Sequence, residues 1–279
     1  MSRTVASKFG PPVALALTLL YGAASVASPS VQTSKETGGS CFLLYELGVG
    51  EIRRAPATVC RLRVTPASTF KIPHALAALD AGVLEGPDSA IPYAGSGAPF
   101  PAWERDHTLA SAMRYSVVWY FQRIAERLGP ARELQYLRKL DFGNADPSSG
   151  LTTFWLGGSL LVSPEEELKF LVRLYNDDLP LTGRAMRTVR EVLIQPRGAI
   201  VNAAGEHAFG GTRPPGTVLS AKTGSARDRT GNEVRWLVGH VRRDHRAWVF
   251  VSCVVGKDDV APLAAVELAA GALHEERLL

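Results

Sequence analysis

The chain lacks any apolar run long enough to cross a bilayer: its N-terminal stretch from Val13 to Leu20 falls well short of the roughly 20 residues a spanning helix needs. It also lacks a basic run. The net charge is only +4, and the arginines (Arg53, Arg54, Arg61, Arg63, Arg187, Arg190, Arg242 and Arg243 among them) are scattered without interleaved aromatics. That pattern leaves no nucleic-acid footprint. The six histidines, at positions 74, 107, 207, 240, 245 and 274, show no His-Glu-x-x-His or other ligand spacing, and no metal or nucleotide motif is present. They read as structural or exposed, His74 as a packing residue. Internal repeats and low-complexity tracts are absent. What remains is a chain of 279 residues, 46% apolar and 21% charged, the composition of a soluble globular enzyme of one or two domains.

Cysteine is scarce as well, three in the whole chain, and its meaning depends on compartment. Arg3 and Lys8 precede the short apolar run, and small residues ending in Ser25-Val26-Ala27 follow it. This is the layout of a secretory signal over residues 1–27, with cleavage near Ala27 and export to the periplasm or medium. An uncleaved N-terminal anchor is the alternative. In an oxidising compartment, Cys41 and Cys60 at the open end of a predicted hairpin are expected to form a disulfide. Cys253, inside the apolar stretch Trp248–Val255, reads as a buried structural thiol.

The mature chain, 28–279, reads as one domain of α+β class. Strands are expected over 41–65, with the turn at Gly48-Val49-Gly50, and over 216–223, 233–242 and 246–255. Helices are expected over 68–81, 108–140 with a break at Gly129-Pro130, 163–175, 182–194 and 262–276. Ser163, Pro164 and Glu166 carry the signature of a capped helix start. First and last strands are expected to join one antiparallel sheet flanked by helices, an α/β lobe of about 40–65 and 210–279. The segment of about 85–200 forms an all-helical lobe, with a cleft between the two.

Chemistry concentrates in Pro66-Ala67-Ser68-Thr69-Phe70-Lys71-Ile72-Pro73. Ser68 and Lys71, three residues apart at a helix start, share one face, so the amine reaches the hydroxyl. A serine nucleophile needs such an adjacent base, and a helix N-terminus offers N–H donors for a developing oxyanion. The pattern points to acyl transfer through a serine ester. Alone, it reads more readily as an N-capping serine beside a solvated lysine. Ser116-Val117-Val118, at a break between helical patterns, and Lys222-Thr223-Gly224, at the end of a strand, shift that balance. The glycine of the latter lets a substrate backbone approach closely.

With these residues the chain resembles the penicillin-recognising serine enzymes, and among them the class D, oxacillinase-type β-lactamases. The carrying motifs are Ser68-Thr-Phe-Lys71, Ser116-x-Val118, Phe142-Gly143-Asn144, Phe154-Trp155-Leu156 and Lys222-Thr223-Gly224. The resemblance implies a β-lactamase/transpeptidase-like fold and a β-lactam substrate. It assigns catalytic roles to Ser68, Lys71, Ser116 and Lys222, and substrate or oxyanion contacts to Thr223, Gly224, Ser225 and Val118. It further implies that Lys71 takes up carbon dioxide as N6-carboxylysine, held by the indole of Trp155, with no metal and no other cofactor. Resistance to β-lactams follows as an expectation. No membrane partner is expected once the signal is removed, and both a monomer and a homodimer are compatible with the sequence. A penicillin-binding protein and a β-lactam sensor that is acylated without turnover remain alternatives.

Two departures stand out. Phe142 takes the place of a tyrosine, which keeps the ring and drops a hydroxyl. The arginine that the family supplies near the last helix for the substrate carboxylate is missing from Asp258–Val266. Lys257, Arg227 and Arg229 are the candidate replacements, each equally explained as loop charge. Glu165, Glu166 and Glu167 resemble a class A base in spacing only, since helix capping accounts for them.

Overall fold

The computed structural model describes residues 38–211 and 214–279, together with Met1. The expected export segment and its cleavage point near Ala27 lie outside the described residues. The chain enters through β1 (Gly39–Glu46) and β2 (Gly50–Ala57), then a 3₁₀ turn (Ala67–Phe70) that runs directly into α1 (Lys71–Asp80). Two short strands, β3 (Ala90–Ile91) and β4 (His107–Thr108), pair with each other. Helices α2 (Leu109–Arg114), α3 (Val118–Leu140), α4 (Pro164–Tyr175) and α5 (Gly183–Val192) follow. Then come β5 (Ala199–Asn202), β6 (Gly205–Ala208), β7 (Val218–Arg227), β8 (Glu233–Arg243), β9 (Arg246–Gly256) and α6 (Ala264–Glu275). The main sheet has the order β2-β1-β9-β8-β7 and is antiparallel throughout. The first strands therefore do join the last, as the sequence leads one to expect.

Both sheet faces are buried, and the strands alternate between two cores. Val249, Val251, Cys253 and Val255 of β9 pack with the helices of the middle segment. Trp248 and Phe250 turn the other way, with Phe42 and Leu44 of β1, onto Ala265, Ala269 and Leu273 of α6. Period-two alternation of this kind is what a two-faced antiparallel sheet requires.

Local chemistry sets the helix limits. Ser163 accepts from the Glu166 N–H while the Glu166 carboxylate accepts from the Ser163 N–H at 2.9 Å, closing a capping box with Pro164 in the first turn. Gly82, at φ +69°, ends α1 in the left-handed region open to glycine. At Gly129 (φ 75°, ψ 162°) the ladder of α3 breaks ahead of Pro130, because proline has no N–H to donate. The sequence reading differs from the structure in several places: β2 ends at Ala57 rather than extending to residue 65, and the short β3–β4 pair lies in the segment expected to be all-helical. Residues 67–70 form a 3₁₀ turn rather than the first turn of an α-helix, and the β5–β6 hairpin stands where no strand was expected.

Cys41 and Cys60 form a disulfide across a separation of 19 residues. Cys41 also lies opposite Cys253 in the β1–β9 register. Cys253 is a free, fully buried thiol, and burial, with the nearby Glu167 carboxyl, pushes it well above the usual thiol range.

Glu167 of α4 is itself fully buried, with neither carboxylate oxygen in a hydrogen bond. The neighbouring Thr69 hydroxyl donates instead to the Pro66 carbonyl, at 3.0 Å. Burial raises the Glu167 carboxyl from 4.5 to about 8, so the folded protein holds a proton that the unfolded chain releases. Its stability contribution is complete below pH 4.5 and is lost as pH rises toward about 8. Glu167→Gln therefore raises the melting temperature more at pH 8.5 than at pH 5, a difference that thermal denaturation at the two values measures.

Candidate active site

The nucleophile motif sits where the 3₁₀ turn meets α1. In a 3₁₀ turn, side chains three apart eclipse one another, which brings Ser68 and Lys71 together more directly than an α-helix does. Lys71 Nζ donates to Ser68 Oγ at 2.7 Å. Ala67, just before the serine, has φ +50°, an uncommon conformation for a residue with a Cβ. Ser116 likewise has φ +55° and occupies the break between α2 and α3. Local strain of this kind, beside Ser68 and at Ser116, persists only where the surroundings over-determine the backbone.

The turn is fixed against the sheet by β7. A Cβ on Gly224 would lie 3.0 Å from the Pro66 carbonyl oxygen and 3.2 Å from both Thr69 Cγ2 and Trp236 Cβ, so any larger residue would need its neighbours to give by a few tenths of an ångström. Trp236 Nε1 donates to the Thr65 carbonyl at 3.0 Å, and the Thr65 hydroxyl donates to the Trp155 carbonyl at 3.0 Å. The sheet, the nucleophile turn and the loop carrying Trp155 are thereby joined through one buried threonine.

Lys222 of β7 donates to Ser116 Oγ at 2.9 Å and to the Thr223 carbonyl at 2.9 Å. Its amine is lowered by burial to about 7. The Lys71 amine is lowered well below the usual lysine range, first by burial and then by repulsion from Lys222. Lys71 is completely buried in a box of rings. Its Nζ lies 5.5 Å from the Phe121 ring centroid. Phe70 contacts Phe154 at 5.1 Å and Trp155 at 5.5 Å between centroids. His74, one turn further along α1, packs on Phe70 and Trp155 and shares a 2.7 Å hydrogen bond with Glu133. Trp155 is fully buried, and its Nε1 has no hydrogen-bond partner. A buried N–H without an acceptor is costly, and here it belongs to a ring that packs on Phe70, the residue before Lys71.

A cleft of about 680 Å³ opens onto this arrangement, lined by Ser68, Ser116, Val118, Thr223, Gly224 and Ser225 along with other residues. All three motif segments thus meet at one opening, while Lys71, Lys222 and Trp155 lie behind its wall. Phe142 is buried, in an edge-on contact with Phe170 at 5.2 Å, a packing role. Glu165 and Glu166 pair with Arg54, Arg61 and Arg63 on another surface. None of Lys257, Arg227 and Arg229 lines the cleft. Arg227 is instead engaged by Glu233 and by the Gly231 carbonyl at 3.0 Å. The expectation that one of these three meets a ligand carboxylate is not met by where they stand. Asn202 and His207 of the β5–β6 hairpin do line it. The sequence carried a signal for that hairpin, a turn with Gly205 at φ +120° between Ile200-Val201 and His207-Phe209. Among the described residues no cluster of His, Cys, Asp and Glu can hold a metal ion.

Comparison with known proteins agrees with this geometry. Residues 25–273 match the penicillin binding protein transpeptidase domain family. A probable β-lactamase of Bacillus subtilis, YbxI, is 34% identical over 220 residues, 79% of this chain and 75% of that protein. The β-lactamase OXA-48 of Klebsiella pneumoniae is 35% identical over 185 residues, 66% of this chain and 63% of the relative. A crystal structure of a class D β-lactamase from Bacillus subtilis superposes with a TM-score of 0.74 at 30% identity, covering 87% of this chain and 93% of the other. The sequence match, the backbone likeness and the convergence of three motifs on one cleft lead to the same place: the chain belongs to the class D serine β-lactamases, within the transpeptidase-domain family.

Proposed function

We propose that the protein hydrolyses β-lactams through a covalent acyl-enzyme on Ser68, with carboxylated Lys71 as the base. The observation that carries the second half is a fully buried lysine whose charged form is disfavoured, together with an orphaned Trp155 N–H on a ring packed against Phe70, the lysine's sequence neighbour. Carbon dioxide adds only to an unprotonated amine, and burial supplies that form. The N–H of Trp155 would hold the added group, which fits a donor that otherwise lacks an acceptor. When bound, the group supplies an oxygen base for the Ser68 proton and, later, for the hydrolytic water.

The remaining steps use the chain's own residues. Ser68 Oγ attacks the lactam carbonyl, and the backbone N–H groups of Ser68 and Ser225 hold the resulting oxyanion. Ser116, hydrogen-bonded to Lys222, passes a proton to the departing lactam nitrogen. Lys222 restores that proton and supplies positive potential, while Thr223 offers its hydroxyl to the substrate carboxylate. Val118 and Leu156 keep water from the lysine box. An amine at about 7 suits this relay, because it gives and regains a proton near neutrality. We also infer export and a role in β-lactam resistance, supported by the Cys41–Cys60 disulfide and by the substrates of the family.

Three tests follow. Lys71→Ala lowers kcat/KM for nitrocefin by about 10²–10⁴-fold, and intact mass after benzylpenicillin shows any residual acyl-enzyme to be long-lived. Unchanged turnover ends the proposed role of Lys71. Trp155→Phe raises the bicarbonate concentration that gives half-maximal activity by roughly tenfold or more, measured by titrating bicarbonate into CO₂-depleted enzyme. In the wild type, a stable benzylpenicillin adduct without turnover, at saturating bicarbonate, would identify a sensor or penicillin-binding protein instead.

A further inference from the structure

Two rings matter to the proposed function of Lys71, and a third side chain joins them. Phe121 is the ring beside the amine, with its centroid 5.5 Å from Lys71 Nζ. Trp155 carries the orphaned N–H. Among the described residues, His74 is the one ring in contact with both, at 5.9 Å from Phe121 and 5.4 Å from Trp155 between centroids. It also packs on Phe70 at 5.1 Å, and it follows Lys71 by one turn of α1. We propose that His74, oriented by Glu133, is a positioning residue for carboxylation of Lys71: its ring sets the Trp155 indole relative to Phe121, and thereby the affinity of Lys71 for carbon dioxide. This rests on the function proposed above. Addition of carbon dioxide forms one N–C bond and releases one amine proton to solvent, leaving a singly charged carbamate.

Packing alone does not account for this pair. The side chains of His74 and Glu133 are 0% and 2% exposed, and they share one hydrogen bond of 2.7 Å between Nε2 and Oε1. Burying an imidazole and a carboxyl forfeits their hydration, and an apolar pair of similar volume is often as stable or more so. The His74 Nδ1 is also buried without a partner, which adds to the cost. What the polar pair supplies is a fixed ring plane. The torsion that turns an aromatic ring about its stem is soft, and the bond to Glu133 pins it. The edge-on contact with Trp155, at 62° between planes, depends on that orientation. Phe121 precedes the break in α3 at Gly129 and Glu133 follows it, so His74 holds both segments of α3 against α1. The role asks only that the bond be made, whichever partner donates. A carbamate in apolar surroundings depends on the few donors that reach it, and hydrogen bonds weaken steeply with misalignment. An indole free to shift therefore holds the added group less well.

The test titrates isotopically labelled bicarbonate into CO₂-depleted enzyme and integrates the carbamate signal by carbon NMR, with nitrocefin turnover followed in parallel. His74→Phe combined with Glu133→Leu keeps a ring, removes the bond and leaves neither polar partner buried alone. In this variant the bicarbonate concentration for half-maximal carbamate rises about tenfold, while kcat at saturating bicarbonate and KM stay within about threefold of wild type. His74→Leu with the same change at Glu133 shifts the midpoint at least as far. Glu133→Gln, which keeps a hydrogen-bonding side chain of the same length, stays within about threefold of the wild-type midpoint. A folded double variant with the wild-type midpoint, or one whose turnover bicarbonate does not restore, overturns the positioning role. So does a Glu133→Gln midpoint as high as that of the double variants, or loss of the fold in both of them, since the pair would then serve stability. Each of these outcomes leaves carboxylation of Lys71 standing. A wild type that shows no carbamate at any bicarbonate concentration refutes the base proposed above, and the inference falls with it.

Discussion

Everything at the site follows from the burial of one amine. Lys71 has no exposed surface, and a charged ammonium there would forfeit its hydration without an acidic partner to offset the loss. Burial therefore disfavours the charged form, which is the condition the proposed base role of Lys71 requires. Phe121 lies 5.5 Å from that nitrogen, and Phe70, Phe154 and Trp155 pack against one another in the same core. A second lysine, Lys222, is lowered by burial in the same way, and its charge further disfavours an ammonium at Lys71. The geometry between Ser68 and Lys71 would mean little in water.

Holding such a box closed requires rigid neighbours on every side. The sheet provides one wall through the close approach of Gly224 to the nucleophile turn, and α3 provides another through Phe121. Thr65 ties the two halves by bonding at once to Trp155 and Trp236. The unfavourable backbone angles at Ala67 and Ser116 persist because these contacts leave no relaxed alternative. Stability is spread over two apolar cores on opposite sheet faces, which offsets the loss incurred by burying two lysines and the acid of Glu167.

Much of this was legible in the sequence because the relevant signals are local. Ser68 and Lys71 sit three residues apart, Ser163-Pro164-Glu166 announces its own cap, and the alternating apolar residues of β8 and β9 announce a sheet buried on both faces. The pairing of Cys41 with Cys60 followed from a hairpin read correctly. Signals that depend on distant packing were not legible. His74 gives no hint in sequence of meeting Glu133, 59 positions away. The β5–β6 hairpin is short and half polar, so its alternation is faint beside the turn residues around it, and His207 was read only as structural or exposed. Arg227, Arg229 and Lys257 stand out in the sequence because charge is visible there, whereas the shape of the cleft that none of them lines is not.

The third cysteine acquires a meaning from its register. Cys253 lies across the β1–β9 ladder from Cys41, so an oxidising environment presents Cys41 with two neighbouring sulfurs. Exchange of a disulfide proceeds only through an attacking thiolate. Because burial and the adjoining Glu167 disfavour that anion at Cys253, the folded protein silences its own competitor. Burial in the core thus works against scrambling of the native sulfur linkage, so a strand that looks merely apolar has a bearing on covalent fidelity.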